Sequence, residues 1–435
     1  MADTLRIALA GLGTVGAGVI RLLGENGALI AQRAGRPIEI TAVSARDRAK
    51  DRGVDLSAYA WEDDMTALAA RDDVDAVVEL VGGSDGPALA LARKALAAGK
   101  DVVTANKAMV AHHGMELAQA AESQGSALRY EAAVAGGIPA IKGLGEGAAA
   151  NRIERIYGIL NGTCNYILSE MESTGRDFGD VLSEAQALGY AEADPTFDIE
   201  GVDAAHKLSL LAALAFGTRL DFAAVATTGI SRIRAADIAQ ARALGYVIRL
   251  IGLADCETEN GSSHLFQRVA PYLVPTSHPL AGVGGPTNAV VAEGNYSGRL
   301  LFEGAGAGDG PTASAVVADL IDIARGNVPP PFSLPVSELA ASAPADPGHR
   351  RNRAYLRFLV ADRPGVLAEI TAAMRDAGVS IESMIQQGHP GDDDDPVLVA
   401  MVTHDGPEGA VDQALEMLGG SPSLADDPLV MRLLG

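Results

Sequence analysis

Only six lysines stand against 28 arginines in this chain, so the places where lysine does occur are informative. Lys207 lies four residues after Asp203, a spacing that puts both side chains on one face of a helix. Glu192, Asp194, Asp198 and Glu200 crowd the segment just before it. A partly buried lysine in such company can hand a proton to an oxygen, because neighbouring carboxylates favour its charged form while desolvation opposes it. Taken alone, Lys207 is better read as half of a routine surface ion pair with Asp203. Lys107 sits in Val103-Thr104-Ala105-Asn106-Lys107, just past the end of a predicted strand. In doubly wound sheets that edge is where ligands bind.

A second cluster is made of glycine. Ile7–Ala10 reads as a strand and runs into Gly11-Leu12-Gly13-Thr14-Val15-Gly16, which opens a helix. Gly11 permits a tight turn, Gly13 lets backbone approach a pyrophosphate, and Gly16 allows close helix–strand packing. The free N–H groups of Thr14 and Val15 would face the anion. This fingerprint, ending a strand and opening a helix, predicts dinucleotide binding. At the tip of the second strand the chain reads Val43-Ser44-Ala45-Arg46-Asp47-Arg48. No acid stands where a ribose 2′-hydroxyl is usually held, and Arg46 is placed to meet a 2′-phosphate, which favours NADP over NAD.

These residues need a scaffold. Ile7–Ala10, Ile38–Val43, Ala76–Val81, Val102–Thr104 and Leu128–Tyr130 read as strands separated by Ala-rich helical stretches such as Pro87–Ala98 and Met109–Ser123. That alternation predicts a doubly wound parallel α/β sheet over residues 1–135. Residues 136–326 are less regular and read as a second, α+β domain, with a helix over Asp203–Phe216. Residues 327–352, rich in Pro, Ala and Ser, suit a linker. Residues 353–435 have their own strand–helix–strand pattern, interrupted by Asp392–Asp395, which reads as a solvated loop tip.

Composition narrows the class. Hydrophobic residues are 48% and charged residues 21%, enough apolar surface for several cores. A net charge of −22 argues against nucleic acid or an anionic membrane surface as partner. The longest apolar run, 208–217, is about half of the roughly 20 residues a membrane span needs. Two cysteines and no leader-like start fit a cytoplasmic protein. Cys164 reads as a buried structural thiol, Cys256 has no cation to activate it, and His112-His113 reads as helix surface with no metal-ligand spacing.

Several segments taken in order resemble the homoserine dehydrogenases: Thr104-Ala105-Asn106-Lys107, Glu131-Ala132-Ala133-Val134-Ala135-Gly136-Gly137-Ile138-Pro139, Asn161-Gly162-Thr163, Gly189 through Pro195 and on to Lys207, and Gly304-Ala305-Gly306-Ala307-Gly308 followed by Pro311-Thr312-Ala313. The resemblance implies NAD(P)-dependent interconversion of L-homoserine and L-aspartate 4-semialdehyde. It makes Lys207 the proton donor and acceptor, with Lys107 beside cofactor and substrate. Glu192, Asp203, Asp198 and Thr163 would bind the substrate, and Gly189 and Gly306 would approach the cofactor through their backbone. It also implies a monovalent cation, sodium, held by the Glu131 carboxylate and the main-chain oxygens of Val134, Gly136 and Ile138; spacing alone would leave that segment an ordinary glycine turn. A homodimer or homotetramer is implied as well.

Leu359-Val360-Ala361-Asp362-Arg363-Pro364-Gly365-Val366 resembles the first strand, turn and helix start of an ACT domain, a ferredoxin-like module. Such a tail implies feedback inhibition by threonine; the alternative is a role in assembly alone. Three other readings stand beside this one. An aspartate-semialdehyde dehydrogenase needs an activated Cys and a basic His, which neither cysteine segment supplies. A deaminating amino-acid dehydrogenase does not match the run of motifs. A catalytically inactive amino-acid sensor would fit better had a lysine been lost, and both are present.

Overall fold

A computed structural model of the chain describes residues 3–259, 262–387 and 396–435. The acidic run Asp392–Asp395 lies outside these described residues.

The N-terminal sheet is built from β1 (Leu5–Ala10), β2 (Ile38–Ser44), β3 (Ala60–Trp61), β4 (Ala76–Glu79), β5 (Asp101–Thr104) and β6 (Leu128–Arg129). Its spatial order is β3-β2-β1-β4-β5-β6 and every pairing is parallel. The order reverses between β1 and β4, which opens the crevice in which dinucleotides bind. Both faces are covered, so the strands read as apolar runs rather than alternating ones. Helix α1 (Thr14–Ala34) follows the glycine turn, and α2 (Pro87–Ala97) and α3 (Lys107–Gln124) follow β4 and β5. Asn106 caps α3 by accepting from the Met109 N–H, which places Lys107 at the first helical position and at the ligand edge.

The middle of the chain, which shows little periodicity, contains long strands. β7 (Ile153–Ile159) leads to α4 (Gly162–Thr174), α5 (Phe178–Ala187), α6 (Val202–Phe216) and α7 (Ala235–Ala243). β8 (Tyr246–Glu259), β9 (Ser262–Pro275), β10 (Thr287–Gly294) and β11 (Gly298–Ala305) complete an antiparallel meander around β7. Helix α8 (Asp309–Arg325) departs from the expected division of the chain. Although it lies within 136–326, it packs on α1, and Ala313, Val316, Leu320 and Ile323 join the core of the N-terminal sheet. The Pro-rich stretch is no free linker either: Phe332, Val336 and Leu339 are buried, and Tyr130 donates to the Pro331 carbonyl at 2.7 Å.

The C-terminal unit contains β12 (Ala354–Val360), α9 (Val366–Asp376), β13 (Ile381–Gln387), β14 (Val397–Thr403), α10 (Glu408–Leu418) and β15 (Leu429–Leu433). Its strand order is β15-β12-β14-β13, and β15 also pairs in parallel with β9 through Tyr272↔Arg432 and Leu273↔Leu433. One sheet therefore runs from the substrate domain into the tail. Buried charge reinforces the seam. Arg357 of β12 pairs with Asp237 of α7, both essentially inaccessible, and the Tyr355 hydroxyl donates to Asp237 at 3.0 Å. Arg268 and Arg432 share Glu408 at 2.8 and 3.2 Å.

A buried charge that loses its partner is strongly destabilising, so Asp237→Ala should cost about 3–5 kcal/mol. The measurement is urea unfolding followed on the full chain, where the midpoint should fall; an unmoved midpoint would show that the pair adds nothing net.

Candidate active site

At the C-terminal edge of the first sheet the two domains enclose a cavity of about 800 Å3. Its walls include Val15, Lys107, Thr163, Asp198, Lys207 and Gly306. Asp203, on the first turn of α6 and 4% exposed, sits at the centre of the polar wall. Its Oδ2 accepts from Lys207 Nζ at 2.7 Å and from Asn161 Nδ2 at 2.9 Å, and its Oδ1 lies 3.0 Å from Lys107 Nζ. Burial alone would raise the Asp203 pKa, but Lys207, Lys107 and Asn161 together hold it well below the usual carboxylate range. The same pairing acts on Lys107. Burial opposes its charge, yet Asp203, Asp198 and Glu192 lift its pKa above the ordinary lysine value.

Lys207 Nζ makes a second bond, 2.7 Å to the Leu160 carbonyl. With two of its hydrogens committed, the third is left for the cavity. The i,i+4 pair is therefore buried rather than a surface salt bridge. Asn161 is a residue that spacing did not single out. It caps α4 by accepting from the Cys164 N–H at 2.8 Å, and its Nδ2 bridges Asp203 and Asp198. Asp198 is pushed up by burial and by Asp203, against the bonds from Asn161 and Thr163. Thr163 Oγ donates to the Tyr190 carbonyl at 2.9 Å, which ties the loop carrying Gly189 to the cavity wall. Glu192 lies exposed on that loop and does not line the cavity. Cys164 is fully buried with its thiol pKa raised by burial, as a structural thiol should be.

The glycine turn fits a dinucleotide. Gly11 has φ +99°, and a Cβ there would meet the Leu80 carbonyl at 2.7 Å. A Cβ on Gly16 would lie 2.2 Å from the Gly11 carbonyl, whereas the space beside Gly13 is open. Thr14 and Val15 stand in the first turn of α1, where backbone N–H groups have no helical acceptor. Arg46 is exposed beyond β2 on a loop that Arg52 secures. The Arg52 guanidinium donates to the Leu12 carbonyl at 3.0 Å, to the Lys50 carbonyl at 2.6 Å and to the Asp47 carbonyl. Arg48 stacks over Trp61 at 5.5 Å.

The Glu131 turn is also built for charge. Ala135 and Gly136 are successive left-handed residues, with φ +56° and +57°. Among the described residues no hydrogen bond reaches the carbonyl oxygens of Val134 or Gly136, while the Ile138 carbonyl accepts from the Ala140 N–H at 2.7 Å. The Glu131 carboxylate accepts the Ile141 and Lys142 N–H groups at 2.9 Å each. Burial and the nearby Asp319 raise its pKa to about 7 in spite of those bonds. No cluster of three His, Cys, Asp or Glu side chains suited to a metal occurs among the described residues.

Comparison with known proteins decides the family. The homoserine dehydrogenase family model matches residues 139–321, the homoserine dehydrogenase NAD-binding domain matches 11–131, and the ACT domain matches 354–420. The chain is 45% identical to the homoserine dehydrogenase of Pseudomonas aeruginosa over 95% of both chains. This chain belongs to the homoserine dehydrogenases. It is 44% identical to the Corynebacterium glutamicum homoserine dehydrogenase, covering 98% of this chain and 95% of that one. The structure superposes on a crystal structure of homoserine dehydrogenase from Thiobacillus denitrificans with a TM-score of 0.91 at 42% identity, covering 99% and 98% of the two chains. The protein is thus an oxidoreductase acting on a CH–OH group, interconverting L-homoserine and L-aspartate 4-semialdehyde, with an NAD(P)-binding Rossmann domain and a C-terminal ACT domain. No helix among the described residues is long and apolar enough to cross a membrane.

His206, beside Lys207 on the other face of α6, stacks on Phe222 with ring centroids 4.3 Å apart. Burial first, then His112, lowers its pKa to about 4. The unfolded chain, titrating near the ordinary value of about 6.5, then binds the proton that the fold refuses. Stability supplied by the neutral ring is therefore present above pH ~6.5 and lost as pH falls towards 4, by up to about 1.4 kcal/mol per pH unit. His206→Phe keeps the stacking and removes the titration. Urea midpoints at pH 7 and 4.5 should draw closer together in that variant; an identical acid loss would place the titration elsewhere.

Proposed function

We propose that Lys207 is the proton donor and acceptor of the homoserine dehydrogenase reaction. The observation supporting this reading is the Lys207–Asp203–Lys107 arrangement at the cavity wall, where one buried carboxylate holds two ammonium groups from two domains. A nicotinamide dinucleotide supplies the hydride to the aldehyde carbon in reduction and removes it from the hydroxymethyl carbon in oxidation. In reduction the free N–H of Lys207 protonates the carbonyl oxygen as it becomes a hydroxyl; in oxidation neutral Lys207 takes the hydroxyl proton. Lys107, on the same cavity wall, would stand beside cofactor and substrate. Asp203 has both oxygens engaged by protein donors, so its part is to hold the lysines rather than the substrate. Asp198 would meet the substrate ammonium, which would reverse its raised pKa, and Glu192, outside the cavity lining, would add its charge from the neighbouring loop. Thr163 binds beside them.

The cofactor would rest on Gly11, Gly13, Thr14, Val15 and Gly16, with the Gly189 and Gly306 backbones on its nicotinamide side. We read the preferred cofactor as NADP, held at its 2′-phosphate by Arg46. A monovalent cation, sodium, fits the Glu131 turn through the Val134, Gly136 and Ile138 carbonyls. Two of these oxygens lack a donor, and a cation there would offset the charge of Glu131. The Glu131 carboxylate, already bonded to two N–H groups, would contribute charge more than a ligand bond. Threonine is proposed as the effector of the ACT domain, near the Pro364-Gly365 turn. The assembly is proposed to be a homodimer or homotetramer, with the β13 edge strand, where Met384 and Ile385 are exposed, as one pairing surface. We place the enzyme in the cytoplasm, in keeping with two free cysteines.

Homoserine-dependent reduction of NADP tests the catalytic reading. Lys207→Ala should lower kcat by about 10²–10⁴-fold; turnover near the wild-type value would remove Lys207 from the proton path. Arg46→Ala should raise KM for NADP and leave KM for NAD unchanged, whereas equal effects on both would relocate the 2′-phosphate site. Added threonine should inhibit; insensitivity would reduce the tail to assembly or to another ligand.

A further inference from the structure

Asn288 stands on β10 opposite Gly304 of β11, is 1% exposed and lines the cavity with Lys207. Its Nδ2 donates to the Leu160 carbonyl at 3.0 Å, the same oxygen that accepts from Lys207 Nζ at 2.7 Å. Leu160 lies one residue past β7, where the ladder to β10 ends at Ala289↔Ile159, so this carbonyl has no strand partner. Both of its lone pairs are taken by side chains. On its other side Asn288 packs against the backbone of Gly306, so tightly that a Cβ there would lie 2.1 Å from the Asn288 Cγ.

We propose that Asn288 is a positioning residue for Lys207. This rests on the reading of Lys207 as the proton donor and acceptor. A carbonyl oxygen offers two lone pairs, and the Asn288 amide occupies one of them. Lys207 is thereby confined to the other, and its bond to Asp203 then fixes the direction of the third N–H into the cavity. Without the amide, the ammonium could settle on the vacated lone pair and turn that hydrogen away from the substrate oxygen. The cost of keeping this residue supports the assignment. Asn288 Oδ1 is buried with no donor, a desolvation penalty that a leucine of similar shape would avoid. The contact with Gly306 adds a second consequence: the residue that aims Lys207 also sets the height of the loop proposed to meet the nicotinamide, so donor and hydride carrier share one support.

The test is Asn288→Leu in the full chain, which fills the same space beside Gly306 and removes the N–H, compared with wild type and Lys207→Ala. Homoserine oxidation should lose about tenfold in kcat, equivalent to about 1.4 kcal/mol, with KM for homoserine and NADP little changed. The solvent deuterium isotope effect on kcat should rise, because the proton step becomes slower relative to the rest. That ratio is taken within one preparation and does not depend on how much protein is folded. Wild-type kcat and isotope effect in Asn288→Leu, with Lys207→Ala inactive, would overturn the role of Asn288 while leaving Lys207 in place. Turnover by Lys207→Ala would overturn both.

Discussion

The burial of one carboxylate, Asp203, governs how this enzyme is put together. A carboxylate removed from water must be neutralised or bonded on every side, and Asp203 is met by Lys207 from its own helix, Asn161 from the cap of α4, and Lys107 from the nucleotide-binding domain. The Lys107 contact crosses the domain boundary. Two domains that also share a continuous apolar core are thus held in register at the cavity between them. The same ion cluster that fixes the interface also supplies the polar wall of the cavity, so the stability and the chemistry of this region are not separable.

The second constraint is close backbone approach. Gly11, Gly16, Gly136 and Gly306 occur where a Cβ would strike a neighbouring main chain or the Asn288 amide at under 3 Å. These contacts bring the first glycine turn, the Glu131 turn and the 304–308 loop to one edge. Helix α8, which follows that loop, then returns to pack on α1 and closes the nucleotide domain with a segment nearly 300 residues distant in sequence. The ACT tail is bound by different means. It adds its β15 to the substrate-domain sheet and buries Arg357 on Asp237, leaving a path of hydrogen-bonded strands from tail to β9, which packs against the helix carrying Lys207.

Much of this was legible in the sequence because it depends on local rules. A strand ending in Gly11-Leu12-Gly13-Thr14-Val15-Gly16 can only turn and open a helix, and apolar runs alternating with Ala-rich stretches can only stack as a covered parallel sheet. The i,i+4 spacing of Asp203 and Lys207 likewise follows from helix geometry, and the motif run from Thr104 to Ala313 named the family. What the residues could not state was context. The surface-pair reading of Asp203 and Lys207 was open until the fold buried them, since burial is a property of what packs around a helix. Asn161 and Asn288 carry no spacing signal, because an asparagine matters here only through the carbonyl or carboxylate the fold brings to it. The long strands from β8 to β11 were hidden for a related reason: both faces are covered in places, which erases alternation.

The sequence by itself thus determined the local conformations and the inventory of reactive groups, through steric limits on glycine and the periodicity of helix and strand. Only the tertiary structure decided which charges would lose their water. It brought Lys107 to Asp203 across a domain boundary, moved residues 309–325 into the nucleotide-binding layer and joined the tail to the catalytic sheet. Each of these is a long-range contact whose energy comes from burial and desolvation, and neither can be read from residues until their neighbours in space are known.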